Sequence, residues 1–382
     1  MARPQHEIAE VIRQYGEAFF AAHPQPAHHR RTLQALSRCR TAALGGHVDQ
    51  CDQCGKLRIS YNSCRNRHCP KCQGLSQQRW VEAREADLLP VPYYHLVFTL
   101  PDALNGLCLS NPEKLYHLLF RCSWETVQTF AKEHKYLGAQ TGMVAVLHTW
   151  GQNLSLHPHV HAIVPGGGLT PQGQWRMAKG KGKFLFPVKA MSQVFRGKFI
   201  AGLRQLRSEG TLSYHGQAAA LSEDAAWREL LHRLYRKPWV IYAKRPFAGP
   251  QQVIRYLGRY THRIALSNHR LRSIEAGKVS FSWKDYRHRG KKGLMTLSAE
   301  EFLRRFCLHI LPPGFTRLRH YGLLASRNKT LALAQARESL QVQAPPKPPQ
   351  QTWQEQLHAV TGLDLGACPC CKTGRMRLLR GL

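Results

Sequence analysis

Acidic residues are scarce in this chain of 382 residues: 23 Asp and Glu stand against 55 Lys and Arg, a formal net charge of +32. That excess is more than solubility requires and implies a polyanionic partner, the phosphate backbone of nucleic acid first. Apolar runs long enough to span a bilayer are missing too. The basic residues are dispersed instead of gathered on one amphipathic stripe, so no membrane partner is expected. The N-terminal stretch places Glu7, Glu10 and Glu17 in a helical apolar pattern, without the apolar core or small-residue cleavage site of a secretory signal. It reads as a surface helix of a cytoplasmic protein. No phosphate-loop motif (GxxxxGK followed by Ser or Thr) and no internal repeat occur.

What is present is cysteine in CxxC spacing. The 12 cysteines are largely clustered, which in a cytosolic chain favours metal binding over disulfides. Cys51-Asp-Gln-Cys54 and Cys69-Pro-Lys-Cys72 supply four soft thiolates, and the spacing predicts one structural Zn²⁺ site. Cys39, His47, Cys64 and His68 either complete a second zinc site or serve as buried thiols and phosphate-contacting imidazoles. Arg65, Arg67 and Lys71 interleave with these ligands, as in a DNA-contacting module. Cys368-Pro-Cys-Cys371 is half a zinc site, completed from elsewhere in the chain or from a second chain, or else an unmetallated tail.

Two further motifs carry chemistry. In His157-Pro-His-Val-His161 an extended strand turns His159 and His161 to one face and Val160 to the core, so two imidazoles can share one metal ion. Gln152, a neutral oxygen donor suited to Mg²⁺ or Mn²⁺, is the expected third ligand, with His157 the alternative. In Tyr256-Leu-Gly-Arg-Tyr260 a helix would set two phenols side by side, flanked by Arg255, Arg259 and Arg263. A phenol is a poor nucleophile at neutral pH unless cations and a metal favour the phenolate. Together the motifs suggest covalent cleavage of a nucleic-acid strand.

Five stretches separate by composition. Residues 1–89 hold the helical start and the cysteines, and residues 90–267 hold strands, helices and the histidine and tyrosine motifs. Residues 268–340 read as a basic hairpin and helices, 341–352 as a Pro-rich linker, and 353–382 as a Cys-rich tail.

In these residues the chain resembles the bacterial two-tyrosine HUH transposases of rolling-circle insertion sequences. The likeness runs through Tyr61-Asn-Ser-Cys-Arg-Asn-Arg-His-Cys-Pro-Lys-Cys72, His95-Leu-Val-Phe-Thr-Leu-Pro101, His157 to His161 with Gly166 to Gly168, and Arg255-Tyr-Leu-Gly-Arg-Tyr-Thr-His-Arg263. Ser282-Trp-Lys-Asp-Tyr286 and His320-Tyr-Gly-Leu-Leu324 extend it. The resemblance implies an α+β fold: an HUH endonuclease core, with a central antiparallel sheet and flanking helices, plus a small N-terminal zinc-binding domain and a zinc-knuckle-like tail. It implies Tyr256 and Tyr260 as nucleophiles, His159 and His161 as ligands of Mg²⁺ or Mn²⁺, and single-stranded DNA at element ends as substrate. Nicking and rejoining would pass through 5′-phosphotyrosine, in a bacterial cytoplasm, at the nucleoid. The competing readings are a plasmid or phage replication initiator or relaxase, and a non-catalytic zinc-dependent DNA-binding protein.

Overall fold

The structure is a computed structural model that describes residues 4–179, 185–244, 252, 258, 264–285, 290–345 and 351–382. Tyr256, Tyr260, Arg255, Arg259 and Arg263 lie outside the described residues, as do residues 346–350 of the Pro-rich linker.

The chain opens with α1 (Ile8–Ala22) packed on α2 (Ala27–Arg38), then the hairpin β1 (Gly46–Cys51) and β2 (Leu57–Tyr61), then α3 (Gln73–Glu85). The central part follows: β3 (Tyr93–Thr99), α4 (Asn105–Ser110), α5 (Pro112–Lys132), β4 (Gly142–Trp150) and β5 (Leu156–Pro165). A small hairpin, β6 (Gly167–Leu169) and β7 (Trp175–Met177), precedes α6 (Val188–Ser208), α7 (Asp224–Arg236) and β8 (Ile241–Lys244). Next come β9 (Leu271–Glu275), β10 (Lys278–Asp285), β11 (Lys291–Ser298) and α8 (Ala299–Cys307). The last elements are β12 (Leu318–Gly322), α9 (Lys329–Ser339), α10 (Trp353–Thr361) and β13 (Met376–Gly381).

The fold is α+β around a central antiparallel sheet ordered β12-β4-β5-β3-β8, as expected from the sequence. Strand alternation decides its two faces. Tyr94, Leu96 and Phe98 of β3, with Val160, Ala162 and Val164 of β5 and Met143, Ala145 and Leu147 of β4, enter the main core under α5 and α6. Helix α5 starts with Pro112 in its first turn, where a missing N–H costs nothing, and buries Leu115, Leu118, Leu119 and Cys122 at three-and-four spacing. Facing them on α6 are Phe195, Phe199 and Leu203, also buried; each large side chain so covered is worth about 2 kcal/mol. The opposite face carries Tyr93, Val144, Val146 and Ile163, packed against Leu333 and Ala336 of α9. Helices therefore reach both faces, and the side chains of His159 and His161 lie on the second.

The first and third sequence segments share one core. Ile8, Val11, Phe19, Leu33 and Leu36 cluster with Leu271, Val279, Phe281, Phe302 and Phe306, and the Ile8 amide donates to Asn268 Oδ1 at 3.1 Å. The tail also returns. β13 adds antiparallel to β1 to make the sheet β13-β1-β2, and α10 lies against α3, where Arg79 Nε donates to Gln356 Oε1 at 2.8 Å. A capping box between Thr352 and Glu355 starts α10, and left-handed Gly362 ends it.

Burial holds three imidazoles neutral: His29, His309 and His320 are each pushed down to about 4 by desolvation. Between that value and the ordinary 6.5 the unfolded chain binds more protons, so stability is fully present above pH 6.5 and lost as pH falls toward 4. The expected loss is on the order of 1–3 kcal/mol per group. A melting temperature that stays flat from pH 7 to pH 4 would contradict it.

Candidate metal centres and nucleic-acid interface

On the second face of the central sheet three imidazoles converge. His159 and His161 come from β5, on the parity that turns them away from the main core. The third is His148 of β4, which stands directly opposite His159 in the antiparallel register. One ring nitrogen from each lies within 4.8 Å of the others, and His148 and His161 are buried. The second nitrogens have work as well. His159 Nδ1 lies 2.6 Å from the His157 carbonyl, which can only accept, so Nδ1 carries a proton. His161 Nδ1 bonds His95 Nε2 at 2.9 Å across β3 and β5, and the two rings stack with centroids 5.1 Å apart. Imidazoles oriented through one ring nitrogen in this way fit a metal site with outer support.

The sequence pointed to Gln152 or His157 as third ligand, and the converging ring is instead His148. Gln152 sits in the turn between β4 and β5, its backbone carbonyl accepting from Arg270 Nη2. His157 is exposed, its ring 5.1 Å from that of His159 and outside the converging group. Buried His309 supports the turn, contacting Thr149 Oγ1 at 3.2 Å and the Leu154 carbonyl at 3.1 Å, and Arg305 donates to the Asn153 carbonyl at 3.2 Å.

The sulfurs partition differently from the sequence expectation. Cys51 and Cys54 do not join Cys69 and Cys72; the fold separates the two pairs. Cys69 and Cys72 gather with Cys39 and Cys64, at Sγ–Sγ separations of 3.4 Å (Cys39–Cys72), 3.6 Å (Cys39–Cys69) and 3.7 Å (Cys64–Cys72). Four thiolates around tetrahedral zinc, with bonds near 2.3 Å, stand about 3.8 Å apart, so this set fits Zn²⁺. Hydrogen bonds from the three neighbouring cysteines drive the Cys72 thiol toward thiolate. Cys51 and Cys54 gather instead with Cys368 and Cys371 of the tail.

His47 and His68 stand apart from both sulfur sets. His47 is near Asp49, at 3.7 Å, and His68 is held well below its ordinary pKa by burial. Of the arginines and lysine expected to meet DNA, Arg65 is exposed. Arg67 is turned inward, its guanidinium donating to the carbonyls of Phe315 at 2.6 Å and Pro312 at 2.9 Å, and Lys71 pairs with Glu7 at 2.8 Å. Exposed cations lie elsewhere: Lys291 and Lys292 on β11, and Arg377 and Arg380 on β13.

Gly258, midway between the two tyrosines in sequence, is helical and buried against α3. A Cβ there would sit 2.2 Å from Val81 Cγ2, so Gly258→Ala overpacks the contact and is expected to cost about 1–3 kcal/mol. Val81→Ala in the same chain should restore most of the melting temperature. Equal loss with and without Val81 would show that the close approach is not the cause.

Fold and site alone describe a basic α+β protein with, among the described residues, three side-chain sets that could hold metal ions. Residues 142–330 match a family model described as "Putative transposase", and residues 11–100 match the transposase zinc-binding domain of the IS91 type. The Sinorhizobium fredii protein named "Putative transposase y4qJ" is 48% identical over 98% of this chain and 95% of its own length. The transposase for insertion sequence element IS801 of Pseudomonas savastanoi pv. phaseolicola is 28% identical over 89% of this chain and 81% of its own. The chain belongs to the IS91/IS801-type transposase family. Among solved structures, the conjugative relaxase TrwC in complex with oriT DNA is 14% identical, covering 44% of this chain and 70% of the other with a TM-score of 0.25. That superposition is too loose to align particular residues. Among the described residues no helix is long and apolar enough to cross a membrane.

Proposed function

We propose that this transposase nicks and rejoins single-stranded DNA at the ends of its element, through 5′-phosphotyrosine intermediates and with Mg²⁺ or Mn²⁺ held by His148, His159 and His161. The observation that carries the reading is the convergence of three imidazoles on one sheet face, two of them oriented by hydrogen bonds at Nδ1. The phenolic oxygen of Tyr256 or Tyr260 gives up its proton and attacks phosphorus, the P–O3′ bond breaks, and the 3′-oxygen leaves and takes up a proton. One phosphodiester replaces another, so the linkage energy is kept and a 3′-hydroxyl reverses the step. A bound divalent ion would supply charge stabilisation at the non-bridging oxygens. His95 and the His157 carbonyl hold the ligand rings in their tautomers. Arg255, Arg259 and Arg263 are assigned to the attacked phosphate, and exposed Arg65 to flanking backbone. A second tyrosine permits a second covalent linkage, which suits strand transfer more than a single nick.

The test incubates the full chain with single-stranded element-end DNA and Mg²⁺ or Mn²⁺, followed by denaturing electrophoresis. The expected product is a protein–DNA adduct that forms only with added metal and carries a free 3′-hydroxyl on the released strand. Absence of an adduct at every metal concentration sinks the proposal.

A further inference from the structure

The family zinc-binding domain covers residues 11–100, whereas the second sulfur cluster draws half its members from the far end of the chain. We propose that Cys51, Cys54, Cys368 and Cys371 form a second Zn²⁺ site that clasps the C-terminal segment onto the N-terminal sheet.

The sulfurs are placed for it. Cys51 Sγ lies 3.7 Å from Cys371 Sγ, and Cys54 Sγ lies 3.6 Å from Cys368 Sγ. These match the about 3.8 Å expected of thiolates sharing tetrahedral zinc, and are far longer than a disulfide bond of about 2.05 Å. The two halves are also built alike. In each, the backbone turns left-handed at the residue after the second cysteine, Gly55 (φ 68°) and Lys372 (φ 61°). In each, that residue's amide donates at 3.1 Å to the carbonyl of the first cysteine, Cys51 or Cys368. Lys372 is not a glycine, so the turn is held against its own preference.

Backbone amides aim at the sulfurs, as expected where thiolates need their charge stabilised. Gln53 N approaches Cys51 Sγ at 3.4 Å, Cys370 N approaches Cys368 Sγ at 3.4 Å, and Gly374 N approaches Cys371 Sγ at 3.3 Å. A Cβ on Gly374 would stand 2.4 Å from Cys51 Sγ, so this position keeps the two knuckles in contact by having no side chain. Around the cluster the chain ends are stitched together. Asp52 N donates to the Arg375 carbonyl at 3.0 Å, Arg58 Nη1 to the Leu365 carbonyl at 2.8 Å, and Leu382 N to the Gly46 carbonyl at 2.9 Å. The clasp thereby sets Arg377 and Arg380 on the same small sheet as the N-terminal knuckle.

The test counts zinc per full-length chain in a His159→Ala, His161→Ala background, so that the imidazole site does not contribute. Two ions are expected in this parent. One is expected after Cys368→Ser with Cys371→Ser, one after Cys51→Ser with Cys54→Ser, and still one after all four changes, because the two pairs share an ion. The ion that stays at Cys39, Cys64, Cys69 and Cys72 reports that the fold has survived. One ion in the parent, two ions kept by the tail variant, or two disulfides recovered in place of the second ion would each overturn the clasp. Where a variant loses both ions by unfolding, cobalt titration of the parent chain decides. Thiolate-to-cobalt charge-transfer absorption should keep rising to two equivalents, and saturation at one would refute the site.

Discussion

Replacing both Tyr256 and Tyr260 with phenylalanine is expected to abolish the covalent protein–DNA adduct and leave retention of single-stranded DNA nearly unchanged. Phenylalanine preserves the ring and removes the oxygen that would attack phosphorus, so the loss should be roughly a thousand-fold or more. Retention should persist because it rests on the charge of +32 and the phosphate backbone, and it should weaken steeply with added salt. Each single variant is expected to keep one cleavage and lose the transfer that needs a second linkage. An adduct that survives the double change would remove these tyrosines from the chemistry.

His148→Ala should lower adduct formation by roughly a hundred-fold or more at limiting Mn²⁺, because one of the three imidazoles proposed to hold the ion is gone. Part of that loss should be recovered by raising the metal concentration. Gln152→Ala and His157→Ala are expected to stay within a factor of about three of the parent, since His148 already brings a third ring to His159 and His161 and the His157 ring lies outside that group. Mn²⁺ affinity measured by calorimetry, beside adduct yield against metal concentration, separates a ligand from a structural residue. A severe defect in Gln152→Ala with a mild one in His148→Ala would restore the oxygen donor as the third ligand.

Why the strand pair was legible and its third partner was not follows from alternation. In His157-Pro-His-Val-His161 the spacing is two, so His159 and His161 share a face wherever the strand sits. β4 reads Gly-Met-Val-Ala-Val-Leu-His-Thr-Trp, apolar on both faces, because one side meets α5 and α6 while the other meets the α9 cluster. A strand buried twice shows no polar alternation, and nothing in it marks which way His148 points. That His148 stands against His159 depends on the β4–β5 register, with its shift between His148 and Trp150.

The cysteines show the same limit from another side. CxxC spacing marked cysteines that do cluster, yet nearness in sequence grouped Cys51 and Cys54 with Cys69 and Cys72. The fold chose other partners because β13 returns across the whole chain to pair with β1, and because α2 brings Cys39 beside Cys64. Arg67 shows it once more. Its basic neighbourhood suggested phosphate contact, and its guanidinium satisfies backbone carbonyls near Phe315 instead.

By itself the sequence determined the charge that calls for a polyanion, the strand and helix periods of the central segment, and the presence of thiolate and imidazole sets, since each is a property of local spacing or composition. Only the tertiary structure decided which cysteines gather, which imidazole converges on His159 and His161 and which arginine is turned inward. Those outcomes depend on strand order and register between distant segments, where the free energy lies in burying opposite faces of one sheet and not in any single stretch of chain.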